Sequence, residues 1–262
     1  MSDGSGHDVD LFGRHPKGKP DWSHRRGEPR GLALAWALYL MLAMMGSLLP
    51  AMTLGRFDPD VFRPAARILA AVIMVGLVVL WPMLRLSQRP AGGIAGGRVG
   101  RDLVVLLIPA LTLVWPQVLL AGWSVETVSA VSALLVGWSL VWASAVCWWR
   151  GCGGERRAAG VAVTAMLVLL VVGLPLLLWR AGVLELGPAG HGVTPGWMWT
   201  PVTSVQEVLR DRSWSGRPAR VAREHWIWII RLLVGASGLL WLTVWFCGRV
   251  GARLPDRRTD LE

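Results

Sequence analysis

The stretch "LALAWALYLMLAMMGSLLPAMTL" (32–54) contains no charged residue, and its length decides the class of fold. A helix rises 1.5 Å per residue, so this segment is long enough to cross the ~30 Å hydrocarbon core of a bilayer. Taken alone, it could also be a buried helix of a large soluble protein. The rest of the sequence distinguishes the two cases.

Five more apolar stretches follow, and only Arg231 interrupts the last of them. The chain is 53% hydrophobic, above the content of an ordinary soluble domain. Six separate long apolar runs favour a membrane protein over a soluble helical protein. The sequence therefore predicts an all-α polytopic integral membrane protein whose transmembrane helices lie at about 32–54, 66–86, 103–123, 127–149, 159–181 and 226–248.

The basic residues are concentrated at alternate ends of these spans, which explains the net charge of +10 without a nucleic-acid partner. The protein is predicted to lie in the cell (inner) membrane. The positive-inside rule then predicts that both termini face the cytoplasm. The absence of asparagine and the excess of arginine over lysine suggest a bacterial genome rich in G and C. The basic side is defined by Arg14, Lys17, Lys19, Arg25, Arg26, Arg30, Arg85, Arg89, Arg98, Arg101, Arg150, Arg156, Arg157, Arg249, Arg253, Arg257 and Arg258.

The chain divides into tails, spans and one long loop. The first thirty residues are polar, so the first span is predicted to be an uncleaved signal anchor. The glycine-rich segment 89–101 is expected to be a mobile cytoplasmic loop. The predicted units are a flexible basic tail (1–31), five spans (32–182), an external loop (183–225), the sixth span (226–248) and a second cytoplasmic tail (249–262).

No motif in the sequence supports catalysis, a metal site or a cofactor. "GRHPKGKP" (13–20) has phosphate-loop spacing but ends in Pro20, where a magnesium-binding Ser or Thr is required. "GASG" (235–238) resembles the serine motif of rhomboid-type proteases, but no predicted span contains the histidine that the serine needs. That motif is therefore interpreted as a close-packing patch. Cys147, Cys152 and Cys247 fit no ligand spacing.

Two features of the spans have alternative interpretations. Arg231 either extends toward the headgroups past Trp228 or makes a packing hydrogen bond, or it faces a cavity for an anionic substrate. In the fourth span, small residues and the pair Trp138 and Trp142 predict a helix-packing face rather than a polar pathway. The small residues are Ser129, Ser132, Ala133, Gly137, Ser139, Ala143 and Ser144.

The external loop contains "TPGWMWTPVTSVQEVLRDRSW" (194–214), which predicts a short amphipathic helix. Thr200 and Pro201 are suited to begin it, and Ser204 with Glu207 forms an alternative capping box. Tryptophans flank both ends. Such a helix lies in the membrane interface or dips between spans as a half-buried cap. A second helix is expected from Pro218 into the last span. The candidate external docking residues are Trp197, Trp199, Val205, Leu209 and Arg210.

Six spans, two internal termini and paired helices before the last span resemble the ABC-2-type permeases. "WTPVTSVQEVLR" (199–210) is similar to the proline-helix-arginine segment of that family. The resemblance implies a dimeric permease subunit that a separate ATPase energises. This chain has Thr200 where the family has asparagine, and glycine-rich sequence where a coupling helix would contact the ATPase, so no functional residue is carried over.

Two hypotheses for the function follow. The first is a permease-like subunit with a separate ATPase, because the predicted spans contain no deep Asp or Glu for ion coupling. The second is a non-transporting anchor or assembly protein that binds other membrane proteins through its external cap. Haem handling by His191 and His225, expected to be exposed in the loop, is a third. No cofactor is expected under the first two.

Overall fold

The computed structural model describes residues 29–53, 58–87, 95–151, 193–210 and 221–251, with single positions between 162 and 180. All regular structure in these ranges is helical, as predicted. The predicted fifth span (159–181), the N-terminal tail and most of the C-terminal tail lie largely outside the described residues.

The continuous described ranges contain eight α-helices: α1 (Pro29–Thr53), α2 (Pro59–Val75), α3 (Trp81–Ser87), α4 (Ala95–Val114), α5 (Gln117–Leu120), α6 (Val125–Gly151), α7 (Pro201–Leu209) and α8 (Arg223–Gly251). A π-helical turn, Gly76–Leu80, joins α2 to α3, and a 3₁₀ helix, Pro195–Trp199, precedes α7.

Within the described ranges, five helical segments are long and apolar enough to cross a membrane. They coincide with the predicted first, second, third, fourth and sixth spans, which confirms a chain with several candidate membrane-spanning helices. Their bounds are Gly31–Leu49, Pro59–Leu86, Gly96–Leu120, Val125–Trp149 and Arg223–Arg249.

Helix α6 lies at the centre of the packing. Its span is 61% buried, against 22% for α1 and 17% for α8. A side chain at Gly137 would come within 2.9 Å of Leu232 of α8, so this glycine permits close approach of the two helices. The predicted packing face of the fourth span is thereby confirmed.

Helices α6 and α8 run parallel and in register. The Trp226 indole donates to the Glu126 carboxylate (3.1 Å) near their first residues, and the Cys247 thiol lies 3.7 Å from the Cys147 carbonyl near their last residues. We call the end near Val125 and Arg223 the loop end and the end near Gly151 and Gly251 the tail end. The charge pattern predicts the loop end outside and the tail end in the cytoplasm.

The prediction of a mobile loop over 89–101 is wrong for its second half, because α4 begins at Ala95. Two contacts fix the glycine-rich beginning of α4. Gly96 packs closely against Val244 of α8, since a side chain at this glycine would come within 2.9 Å of Val244. Asp102 forms a buried ion pair with Arg85 of α3. Packing and charge thus override the low helix propensity of glycine.

The prediction of a helix from Pro218 is also wrong at its boundary. Residues 221 and 222 are not helical, and α8 begins at Arg223. The His225 ring accepts a hydrogen bond from the Ala222 amide (3.0 Å), while the His225 amide donates to the Ala222 carbonyl (3.0 Å). These two bonds fix the start of the helix.

The glycines of the "GASG" motif make no close packing contact with the other described residues. A side chain added at Gly235 or Gly238 would meet no described atom within 4 Å. Both glycines lie on the exposed face of α8, and only Ala236 between them is buried. The close contact of α8 with α6 instead uses Leu232 and Leu233.

The second span contains a π-helical turn that α1 stabilises. Pro82 lacks an N–H group and interrupts the hydrogen-bond ladder immediately after this turn. The Tyr39 hydroxyl donates to the Val72 carbonyl (2.7 Å), and the neighbouring Trp36 indole donates to the Leu106 carbonyl of α4 (2.9 Å). Helix α1 therefore holds two spans through backbone carbonyls.

Candidate functional site: a helical hairpin at the loop end

Residues 193–210 form a hairpin of two short helices. The chain turns at Thr200, whose backbone is extended (φ −122°, ψ 152°) and whose side chain caps α7 by accepting from the Thr203 amide (3.4 Å). Pro201 follows as the first helical residue, where its fixed φ and missing N–H are favourable. The predicted start of the amphipathic helix is confirmed.

The two arms of the hairpin are antiparallel and hydrogen-bonded to each other. Near the turn, the Thr203 hydroxyl donates to the Trp197 carbonyl (2.6 Å). Near the open end, the Thr194 amide donates to the Glu207 carboxylate (3.1 Å). A buried side chain that accepts a backbone N–H in this way fixes the spacing of the arms.

Glu207 is completely buried, and its charge is balanced within the hairpin. The Arg210 guanidinium lies 3.7 Å from the second carboxylate oxygen and 5.4 Å from the centre of the Trp197 ring. Carboxylate, guanidinium and indole thus form one cluster that connects both arms. Such a cluster suits a rigid cap, because a buried charge without partners would be costly.

The hairpin is inserted among the spans. Seven of the nine residues of α7 are buried, and the helix packs against α2 and α6. The Trp138 indole donates to the Ser204 hydroxyl (3.1 Å). Trp138 lies more than three turns along α6, about 20 Å from its first residue, so the hairpin reaches well below the loop end of that helix.

This burial changes the interpretation of the candidate docking residues. Val205 and Leu209 are fully buried, and Trp197 is 7% exposed, so these three side chains hold the hairpin in the bundle. Arg210 covers Trp197. Only Trp199 remains exposed, at 67%, with its ring against Trp228 of α8 at 5.7 Å between centres. Trp197, Val205 and Leu209 are therefore not available as an external docking surface, whereas Trp199 is exposed.

Arg231 lies on the exposed face of α8. Its guanidinium is 5.9 Å from the centre of the Trp228 ring, one turn nearer the loop end. This is the direction expected of an arginine that extends toward the headgroups. In the described part of the chain, Arg231 lines neither of the two cavities found.

His225 is fully buried, which contradicts the expectation of an exposed histidine. Its Nδ1 atom accepts a hydrogen bond from the Ala222 amide, so the side chain stabilises the start of α8. His191 lies outside the described residues. Among the residues described, no three His, Cys, Asp or Glu side chains lie close enough together to hold a metal ion.

The buried ion pair between Arg85 and Asp102 was not predicted from the sequence. Their side chains are 4% and 3% exposed, and two hydrogen bonds join them, one of 2.6 Å from the Arg85 Nε atom. Asp102 is the only acid in the segment 85–102, which also holds four arginines. A single acid among four arginines is the feature of the sequence that could have indicated this ion pair. The pair joins α3 to α4 at the tail end.

The comparisons with known proteins give no relative: no protein-family model, curated protein or solved structure matches this chain.

Proposed function

We propose that this chain is the permease-like subunit of a transporter in the cell membrane, energised by a separate ATPase and carrying a lipophilic or amphiphilic substrate. The observation that carries the proposal is the hairpin 193–210, inserted between α2 and α6 at the loop end. Short helices that dip among spans are tolerated where protein or a cavity surrounds them, and they are typical of transporters.

Interrupted spans beside the hairpin support the same function. The π-helical turn Gly76–Leu80 breaks the second span, and a turn at Trp115 and Pro116 separates α4 from α5. Discontinuous spans are common at the sites where transporters bind and release substrate. A rigid anchor has no need of such interruptions.

The directions of α6 and α8 support six spans. Because these helices are parallel, the chain between residues 151 and 223 must return to the loop end before α8 begins. The predicted span 159–181 has the length for that return. Six crossings place both termini on the same side, which the basic residues identify as the cytoplasm.

The bonding of the described carboxylates supports a separate ATPase as the source of energy. Proton- or ion-coupled transporters need acids that are available for titration or coordination within the spans. Here Asp102 pairs with Arg85, Glu207 with the Thr194 amide and Arg210, and Glu126 accepts from Trp226. Asp58, Asp60 and Glu224 are engaged at helix starts.

The alternative is a non-transporting anchor or assembly protein, or a homodimer without an ATPase. It is favoured by the exposed face of α8, where Gly235 and Gly238 contact no described atom. Small residues at this spacing let a helix from another chain approach closely. The docking surface of that alternative would be this face of α8 rather than the buried hairpin.

The test is purification of the tagged protein from its native membrane in a mild detergent, with quantification of every co-purifying chain. The proposal predicts a stoichiometric ATPase whose rate of hydrolysis changes when lipophilic compounds are added. An untagged membrane extract is the control. Recovery of other membrane proteins with no nucleotide-binding chain would contradict the permease and support the anchor.

A further inference from the structure

A groove of about 490 Å³ lies between α6 and α8 near the tail end, at the opposite end of the spans from the hairpin. Its walls include Trp148, Trp245 and Phe246 with Val141, Leu239 and Leu242. The groove is open on one side, since Leu242 and Phe246 are about half exposed (54% and 47%). Its volume falls in the range of small-molecule sites, roughly 300–1,000 Å³.

The wall of the groove is apolar although it contains two hydroxyls. Ser144 donates to the Leu140 carbonyl (2.8 Å), and Thr243 donates to the Leu239 carbonyl (2.7 Å). Both hydroxyl protons are therefore directed back to the backbone of their own helices. A ligand in the groove finds methyl groups, aromatic rings and hydroxyls that are already bonded, which is an environment suited to hydrocarbon.

One end of the groove carries a positive charge. The Arg249 guanidinium lies 3.8 Å from the centre of the Trp245 ring, and Trp245 is itself a wall residue. Arg249 is exposed, and no carboxylate pairs with it in the described part of the chain. Because Arg249 belongs to the last turn of α8, its charge lies at the tail end, at the level expected of headgroups.

We propose that this groove binds an anionic phospholipid of the leaflet at the tail end, with one acyl chain between α6 and α8 and the phosphate at Arg249. An apolar groove with an exposed cation stacked on one of its wall residues matches the two parts of such a lipid. Anionic lipids are abundant in the cytoplasmic leaflet, where the tail end is predicted to lie. The site does not depend on whether the chain transports a substrate.

The experiment is native mass spectrometry of the purified protein in detergent, titrated with phosphatidylglycerol and, separately, with phosphatidylcholine of the same acyl chains. The variant Arg249→Gln removes the charge and leaves the groove. The variant Leu242→Trp fills the groove and leaves the charge. Arg231→Gln is the matched control, because Arg231 is also an exposed arginine of α8 beside a tryptophan, but that tryptophan, Trp228, is not a wall residue of the groove.

The wild-type protein should retain phosphatidylglycerol in preference to phosphatidylcholine. Arg249→Gln should weaken phosphatidylglycerol binding about fivefold, as expected for one arginine near a charged surface, and leave phosphatidylcholine unchanged. Leu242→Trp should weaken both lipids. Equal binding of the two lipids, an equal loss with Arg231→Gln, or a lipid-free dimer that occupies the groove would overturn the proposal.

Discussion

At the scale of single residues, buried charge determines which substitutions are costly. Arg85 and Asp102 are both almost fully buried and form two hydrogen bonds, so removing one partner leaves the other without its counter-charge. Asp102→Asn should destabilise the folded protein by about 3–5 kcal/mol. Thermal or denaturant unfolding in detergent measures the change.

The control for that substitution is the neighbouring Arg101, which is exposed. Arg101→Gln also removes one charge from the first half of α4 and should change stability by less than about 0.5 kcal/mol. Equal stability of the Asp102→Asn and Arg101→Gln variants would show that the ion pair does not hold α3 to α4.

Gly76 is a second residue at which a single substitution tests the packing, here the contact of α2 and the π-helical turn with α1. A side chain there would overlap the Tyr39 ring and come within 2.7 Å of Trp36. Gly76→Ala should therefore cost about 1–3 kcal/mol through overpacking. Gly46→Ala is the control, since nothing lies within 4 Å of that position and alanine favours a helix. A stabilised Gly76→Ala variant would contradict the observed contact between α1 and α2.

At the scale of elements, the sequence determined which segments are helical more fully than how they pack. The long apolar runs predicted five of the spans because a bilayer requires that length and composition. The amphipathic pattern of 201–209 gave α7 and its first residue. The pattern did not show whether its apolar face meets lipid or protein, because both environments favour the same side chains.

Contacts between distant segments explain most of what the sequence left open. Arg85 and Asp102 meet because α3 and α4 are neighbours, and Ser204 meets Trp138 because the hairpin enters the bundle. Neither contact has a periodic signal. The helical state of 95–101 depends on Val244, more than a hundred residues away in the chain. Local propensity cannot report such a contact.

The inserted hairpin makes a prediction about accessibility at the loop end. A cysteine introduced at Thr194, whose side chain is exposed, should react with a membrane-impermeant maleimide added from outside. A cysteine at Val205, which is fully buried, should react at least tenfold more slowly until the protein is denatured. Rapid labelling of Val205→Cys in the native protein would place α7 on the surface instead.

At the scale of the whole molecule, the parallel pair α6 and α8 constrains the topology. Two neighbouring parallel helices, joined through one intervening segment, require that segment to cross back. If the predicted span 159–181 is this return crossing, the protein has six spans, with the hairpin outside and the proposed lipid groove at the cytoplasmic end. With only five crossings, the termini would lie on opposite sides of the membrane.

The most direct measurement fuses topology reporters after Gly154, after Gly192 and at the C-terminus. A fluorescent protein that folds only in the cytoplasm and a phosphatase that is active only outside report opposite sides. The account predicts fluorescence at residue 154 and at the C-terminus, and phosphatase activity at residue 192. An inactive phosphatase and a fluorescent fusion at residue 192 would contradict it, because the segment 159–181 would then not cross the membrane.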